Sequence, residues 1–370
     1  AFILSRQKNF FNRVFPFYLR ARICYNCGMG ELYLKTLIIM LVLSAFIVPG
    51  FILRKIKMLS ADSTESLSAI LLYVCQPMLI INSLCVFDKE QWAVISAMSK
   101  VDLLGDFAIV MAVSTVAFLL LFGICKLIFV KYQNKTAAGV YSFITLFSNC
   151  GFIGVPFIEM FSDHDPLASV YVMVFNIVFC VFSWTVGVYF ITGNRKEISF
   201  KKVILNPTIV ASVIALLLFF VPEINFFMFE EVEEIQVFPK YLAYTTTPIS
   251  MLIVGIRIAD MSVRDIFAKP AAYFSGALRL LLAPAVTLCV ALAFFAVVKA
   301  IDPAAVARDY AFLAPIISMA MSPAASVVAM STRFKGDTAL AATTFVTATL
   351  ISIIVIPLTA SAAMSIWGML

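Results

Sequence analysis

Charge is what this chain has least of. Of 370 residues only 13% are charged and 62% are hydrophobic; a soluble domain runs near a quarter charged, so a water-soluble enzyme is the first class to go. The single histidine, His164, leaves no imidazole set for a metal, and no HExxH is present. No hydrophilic stretch reaches the roughly 50 residues of a soluble catalytic domain. The longest are the N-terminal tail and residues 222–240. Acids are missing from the first 28 residues, where Arg6, Lys8, Arg13, Arg20 and Arg22 supply most of the net charge of +6. The remainder is near neutral, with no basic folded face to offer nucleic acid.

Eight cysteines are present, six of them (Cys75, Cys85, Cys125, Cys150, Cys180 and Cys289) in or beside apolar runs, where a thiol packs as a small hydrophobe. Cys24 and Cys27 form a lone CxxC, which has neither a second pair nor histidines to complete a zinc site. Residues 1–28 read as a basic tail ahead of Met29, where MGELYLKTLIIMLVLSAFIVPG opens like the natural start of a membrane protein. The expectation is that Met29 is the physiological start; the alternative is an interfacial basic helix.

Apolar runs dominate what is present. A hydrocarbon core takes about 20 apolar residues per helix, and about ten such stretches fit. They lie near 36–53, 66–85, 107–130, 138–161, 168–191, 203–221, 241–258, 271–298, 310–332 and 338–366. The loops after odd spans hold fifteen lysines and arginines against five after even spans. By the positive-inside rule both termini of a ten-span chain are then outside a cell membrane.

Two frames repeat. YVCQP (Tyr73 to Pro77) and YTTTP (Tyr244 to Pro248) share a Tyr-x-x-x-Pro spacing in the second and seventh spans, and Pro156 and Pro323 interrupt the fourth and ninth at nearly the same offset. Five spans per half is an odd number, so the second half, 192–370, runs inverted to the first, 29–191. The fourth span carries SNCGFIGVP, with Asn149, Gly151, Gly154 and Pro156; the ninth carries SMAMSPAASVVAMS, with Ser318, Ser322, Pro323 and Ser326. Proline removes a donor and clashes with the preceding turn, and glycine weakens the helix before it. A single such span is often only kinked, but two at matched positions suggest helix breaks. In lipid these survive only when buried in protein or lining a site. Their crossing would bring partial helix charges to the midplane without buried lysines or acids, with N-terminal ends favouring an anion.

These motifs resemble the auxin efflux carrier family, which includes bacterial organic-acid permeases. SNCGFIGVP is similar to its Asn-x-Gly-Phe-x-Gly-x-Pro signature, Asn206-Pro207 opens the sixth span as members often do, and PISMLIVGIRIAD and LRLLLAP resemble later blocks. The likeness runs from about Met29 to the C-terminus. It implies an all-α polytopic membrane protein of about ten transmembrane helices, with two inverted five-helix repeats and two crossing broken helices similar to a sodium/proton antiporter crossover. It further implies a scaffold of helices 1, 2, 6 and 7, a mobile transport domain of 3–5 and 8–10, and a crossover at Asn149, Pro156 and Pro323. The chain lacks the long central hydrophilic loop of plant members, so a small carboxylate such as malate is expected in place of auxin.

Other polar residues are candidates for the cavity wall. Gln76 and Thr247 precede the matched prolines; Asn82, Asn176, Thr245, Thr246 and Ser250 either line a cavity or bond across packed helices. Gly151 and Gly154 are expected to allow close backbone approach. Arg279, nine residues past Pro270 and about 13 Å along a helix, either faces an anionic substrate or snorkels to the interface, and snorkelling is the expectation. Asp106, Arg257 and Asp260 near span ends read as solvated. No Asp-Asp or Asp-Lys pair lies deep in a span, so coupling to a proton or sodium ion is left open. The expected function is a secondary transporter for a small organic anion working by alternating access, with Asn149 bonding cargo, no cofactor, membrane lipid around it and a possible homodimer through scaffold helices. The alternatives are a non-transporting sensor on the same fold, a channel and, least favoured, an intramembrane enzyme.

Overall fold

The computed structural model describes residues 29–60, 62–162, 164–198, 200–228, 234–262, 264, 269–301 and 309–367. The tail with its CxxC therefore lies outside the described residues, as do Glu230, Glu231 and Glu233. Throughout the described residues the chain is helical, with no strand. Seven helices there are long and apolar enough to cross a membrane. They are α1 (Gly30–Lys55), α2 (Ser63–Cys85), α3 (Lys100–Phe129), α6 (Pro166–Thr192), α8 (Glu234–Asp260), α9 (Pro270–Ile301) and α12 (Thr338–Trp367). Shorter pieces complete the set: α4 (Lys135–Leu146) and α5 (Cys150–Phe161) in the fourth span, α7 (Pro207–Phe220), then α10 (Asp309–Ala320) and α11 (Ser326–Arg333) in the ninth. The chain is an all-α polytopic membrane protein.

Small polar residues start these helices at their surface ends. Ser99, Asn134, Asp165 and Asn206 each accept a backbone N–H from the first turn that follows, satisfying one of the donors a helix start leaves open. At the sixth span the cap moves the start. An apolar run from Val203 suggests one continuous helix, but Val203 belongs to a short helix, Phe200–Ile204, and Asn206 and Pro207 begin α7 after it. Apolar periodicity also gives no hint of the short surface helix Lys89–Ser96, which depends on a capping box between Asp88 and Gln91. At the other end of α6, Gly193 stops the helix at φ 66°, the left-handed conformation a C-terminal cap requires.

Packing sorts the helices. α1 lies on α8 where Gly50 and Gly255 face the opposing backbone, and a Cβ on either would collide with the main chain of the other helix. α2 packs on α7 and α8, and Cys75 touches the Thr245 hydroxyl at 3.6 Å. α3 packs on α6, α9 and α10, with Phe118 stacked on Phe175 and Phe182 at centroid distances of 5.6 and 4.9 Å. α12 runs against α1, α9 and α11. α6 also lies against α10, and α12 against α4, so each half of a broken span is backed by an unbroken helix.

One solvated reading is corrected here. Asp106 is 1% exposed and accepts the Tyr171 hydroxyl at 2.6 Å, because α6 covers that face of α3. Asp260 stays exposed, as expected near a span end, and pairs with Arg54 at 2.5 Å across the α1–α8 contact.

Candidate functional site

The site begins with the two prolines. Pro156 has no N–H, so the Phe152 carbonyl one turn earlier has no helical donor; the Thr247 hydroxyl of α8 donates to it. Pro323 leaves the Met319 carbonyl in the same position, and an Arg279 Nη2 donates to it. The chain opens well before Pro156, however, at residues 147–149, with Pro156 in the first turn of the α-helical stretch that follows. The extended backbone there pairs antiparallel with residues 322–324. The Asn149 N–H donates to the Ser322 carbonyl at 2.7 Å, and the Ala324 N–H donates to the Phe147 carbonyl at 2.9 Å. The two broken spans therefore cross in direct contact, and each supplies part of what the other lost.

Opening at 147–149 also releases the last carbonyls of α4. Arg279 takes them, its Nη1 donating to Thr145 at 3.1 Å and to Leu146 at 3.0 Å. One guanidinium thus closes the C-terminal ends of both α4 and α10. The side chain is fully buried, which overturns the expectation that it snorkels. A π-helical turn at Leu278–Leu282 carries Arg279 in α9, and such turns recur where a side chain must be re-aimed at a site. The partial negative charge of two helix ends offsets the arginine. The partial positive ends, at the starts of α5 and α11, stay uncovered on the other side of the crossing.

That other side is a cavity of about 580 Å³. Asn149, Gly151, Phe152 and Ser326 line it at the crossing, Gln76 of α2 and Asn176 of α6 line its sides, and Tyr73, Trp184 and Arg333 lie nearer its mouth. Several polar atoms here have no hydrogen-bond partner: Nδ2 of Asn149 and of Asn176, and the hydroxyl of Ser326. Asn149 is 3% exposed and Asn176 is fully buried. Asn176 Oδ1 accepts from the Cys150 thiol at 3.3 Å, which leaves its amide donor over for something else. Buried polar groups are almost always paired, so a cluster of idle donors beside two helix N-termini is a place built for an acceptor.

Residues 34–360, nearly the whole described chain, match the membrane transport protein family. The chain belongs to it: it is a membrane transporter of the auxin efflux carrier type. A comparison with curated proteins finds no match.

In this carrier the candidate residues fall into three groups. Asn149, Gly151, Ser326 and Gln76 line the cavity, with the Gln76 amide 4.0 Å from the Cys180 thiol. Ser322, Pro323 and Thr247 hold the crossing itself: the first two form the backbone bridge and the third caps Phe152. Gly154 and Pro156 sit farther along α5, and Asn82 lies almost two turns past Gln76, all three outside the cavity lining. Neither glycine is packed against an opposing backbone within the protein. A Cβ on Gly151 would meet Asn176 Oδ1 at 3.5 Å, and one on Gly154 would meet Met321 Cγ at 3.4 Å, both ordinary contacts.

Ser148, Tyr73, Trp184, Arg257 and Arg333 line the cavity without having been candidates. Arg257 and Arg333 read as solvated loop charges in sequence, although Arg333 stands seven residues from Ser326 on one helical stripe, a usable signal. Among the described residues no group of His, Cys, Asp and Glu could hold a metal ion.

Proposed function

We propose that this transporter carries a small organic anion, such as malate or another carboxylate, by alternating access through the crossover. The observation that supports this most is the pair of buried, unpartnered amide donors, Asn149 Nδ2 just ahead of α5 and Asn176 Nδ2 on α6 beside that helix start. A carboxylate would satisfy both and would sit at the positive ends of the two half-helices, while Arg279 holds the negative ends. In this reading α1, α2, α7 and α8 are a scaffold, the remaining helices move against it as the transport domain, and the two halves of the chain are inverted repeats.

The cavity mouth is lined by Asp62, Glu65, Arg333 and Thr338, at the loops after the first and ninth spans. Those loops belong to the positively charged set, so the cavity opens inward and both termini lie outside a cell membrane. Coupling to a proton or sodium ion, and pairing of two copies through scaffold helices, belong to the same proposal.

Purified protein in liposomes is expected to take up radiolabelled malate. Asn149→Ala is expected to lose at least ten-fold of that flux while keeping its melting temperature. Malate-dependent stabilisation without flux would instead indicate a sensor on a carrier fold, and unchanged flux in Asn149→Ala would remove the crossover from the cargo site.

A further inference from the structure

The crossing offers an anion hydrogen bonds and helix ends but no full charge. Full charges line the cavity nearer its mouth: Arg257 and Arg333, with Asp62 and Glu65. Arg333 closes α11, the helix that Ser326 opens, and Ser326, Ala329, Met330 and Arg333 all line the cavity at the i, i+3, i+4, i+7 spacing of one helical stripe. Seven residues put Arg333 about 10 Å along the axis from Ser326. A long side chain leans back over the turn before it, so the guanidinium comes closer to the crossing than its Cα does.

Its partners are neutral. Nη1 donates to the Tyr73 hydroxyl of α2 at 2.8 Å, and the guanidinium lies over the Trp184 ring of α6 at 5.4 Å. These contacts hold the group across the mouth without neutralising its charge, in a lining that also carries the carboxylates of Asp62 and Glu65. Arg257, the other arginine in the lining, has Asp260 and Glu65 close enough to offset it.

We infer that Arg333 is the charge-selecting residue of this cavity: it binds a second acidic group of a cargo whose first carboxylate sits at Asn149 and Ser326, so the cavity reads a short diacid by both ends. The inference rests on the anion reading above and deepens it. Because α11 starts at the crossing, the second anchor is carried on the same rigid helix as the first, and the spacing between them stays fixed while the cargo is bound. Tyr73 and Trp184 position the guanidinium from two other helices. Planar, bidentate pairing with a carboxylate is what arginine provides and lysine provides only in part.

The test compares two probes of one length and shape, succinate and its monoamide succinamate, in liposomes containing the full chain. The wild-type protein is expected to prefer succinate at least ten-fold in kcat/KM. R333Q is expected to raise KM for succinate at least ten-fold with kcat within about three-fold, bringing the preference close to one, and R333K is expected to restore part of it. An unchanged elution profile and melting temperature for R333Q show that folding is intact. If R333Q keeps the wild-type preference while Asn149→Ala is inactive, Arg333 is not the selecting group although the anion reading holds. If the wild-type protein carries neither probe nor malate, the anion reading itself falls and this inference falls with it.

Discussion

Arg279 is buried with carbonyl oxygens as its hydrogen-bond acceptors, an arrangement that makes sense only if those oxygens would otherwise be stranded. Pro323 strands one of them, and the extended stretch at 147–149 strands two. Removing the guanidinium returns all three to an apolar interior, at about 1–3 kcal/mol for each unpaired group. Arg279→Met is therefore expected to lower the melting temperature by several degrees and to abolish transport. Arg279→Lys, a point charge without the planar fork, is expected to restore part of the stability and little of the flux. Thermal melting and liposome uptake on the same preparations check both. The prolines and their consequences can be read in the sequence, because a missing N–H is a local fact. The partner of the freed carbonyl cannot, since Arg279 lies on a helix about 40 residues from Met319 and more than 130 from Thr145.

At the scale of the element, the ninth span opens at Pro323, where its composition marks the break, but the fourth opens in a different place. Glycine and proline crowd 151–156, but the backbone extends at 147–149, and a π-helical turn runs through Cys150–Gly154. The antiparallel bridge to 322–324 explains the shift, since the residues that face the other broken span are the ones whose N–H and C=O groups find partners outside their own helix. The Thr247 hydroxyl secures the far side of the turn by bonding Phe152. Thr247→Val keeps the shape and removes that donor, so it is expected to cost about 1–2 kcal/mol and to slow transport several-fold, while Thr247→Ser stays near wild type in melting and uptake. Hydropathy alone located the spans, and the prolines of the second and seventh spans pointed to Gln76 and Thr247. It could not say that one of these would line the cavity and the other would hold the crossing, because that depends on which face of α8 meets α5.

At the scale of the whole molecule, the contrast between the two sides of the crossing matters most. On one side Arg279 and the ends of α4 and α10 are sealed by packing; on the other the starts of α5 and α11 face a cavity that reaches the loops after the first and ninth spans. Under the proposed mechanism this arrangement presents the cargo site to one compartment only, and alternating access requires a second arrangement in which the contacts of Arg333 with Tyr73 and Trp184 at the mouth have been remade. Ala329 is a suitable reporter, half-buried on the cavity stripe of α11 and small enough to replace without disturbing the helix. A329C is expected to react with a charged, membrane-impermeant thiol reagent from the side bearing the positive loops, above the wild-type background. Saturating malate should slow the reaction, either by occupying the cavity or by shifting the population away from the arrangement described here. Equal labelling from both faces, with or without malate, would indicate a continuous pore, because a single barrier that changes sides cannot leave one residue open to both compartments at once.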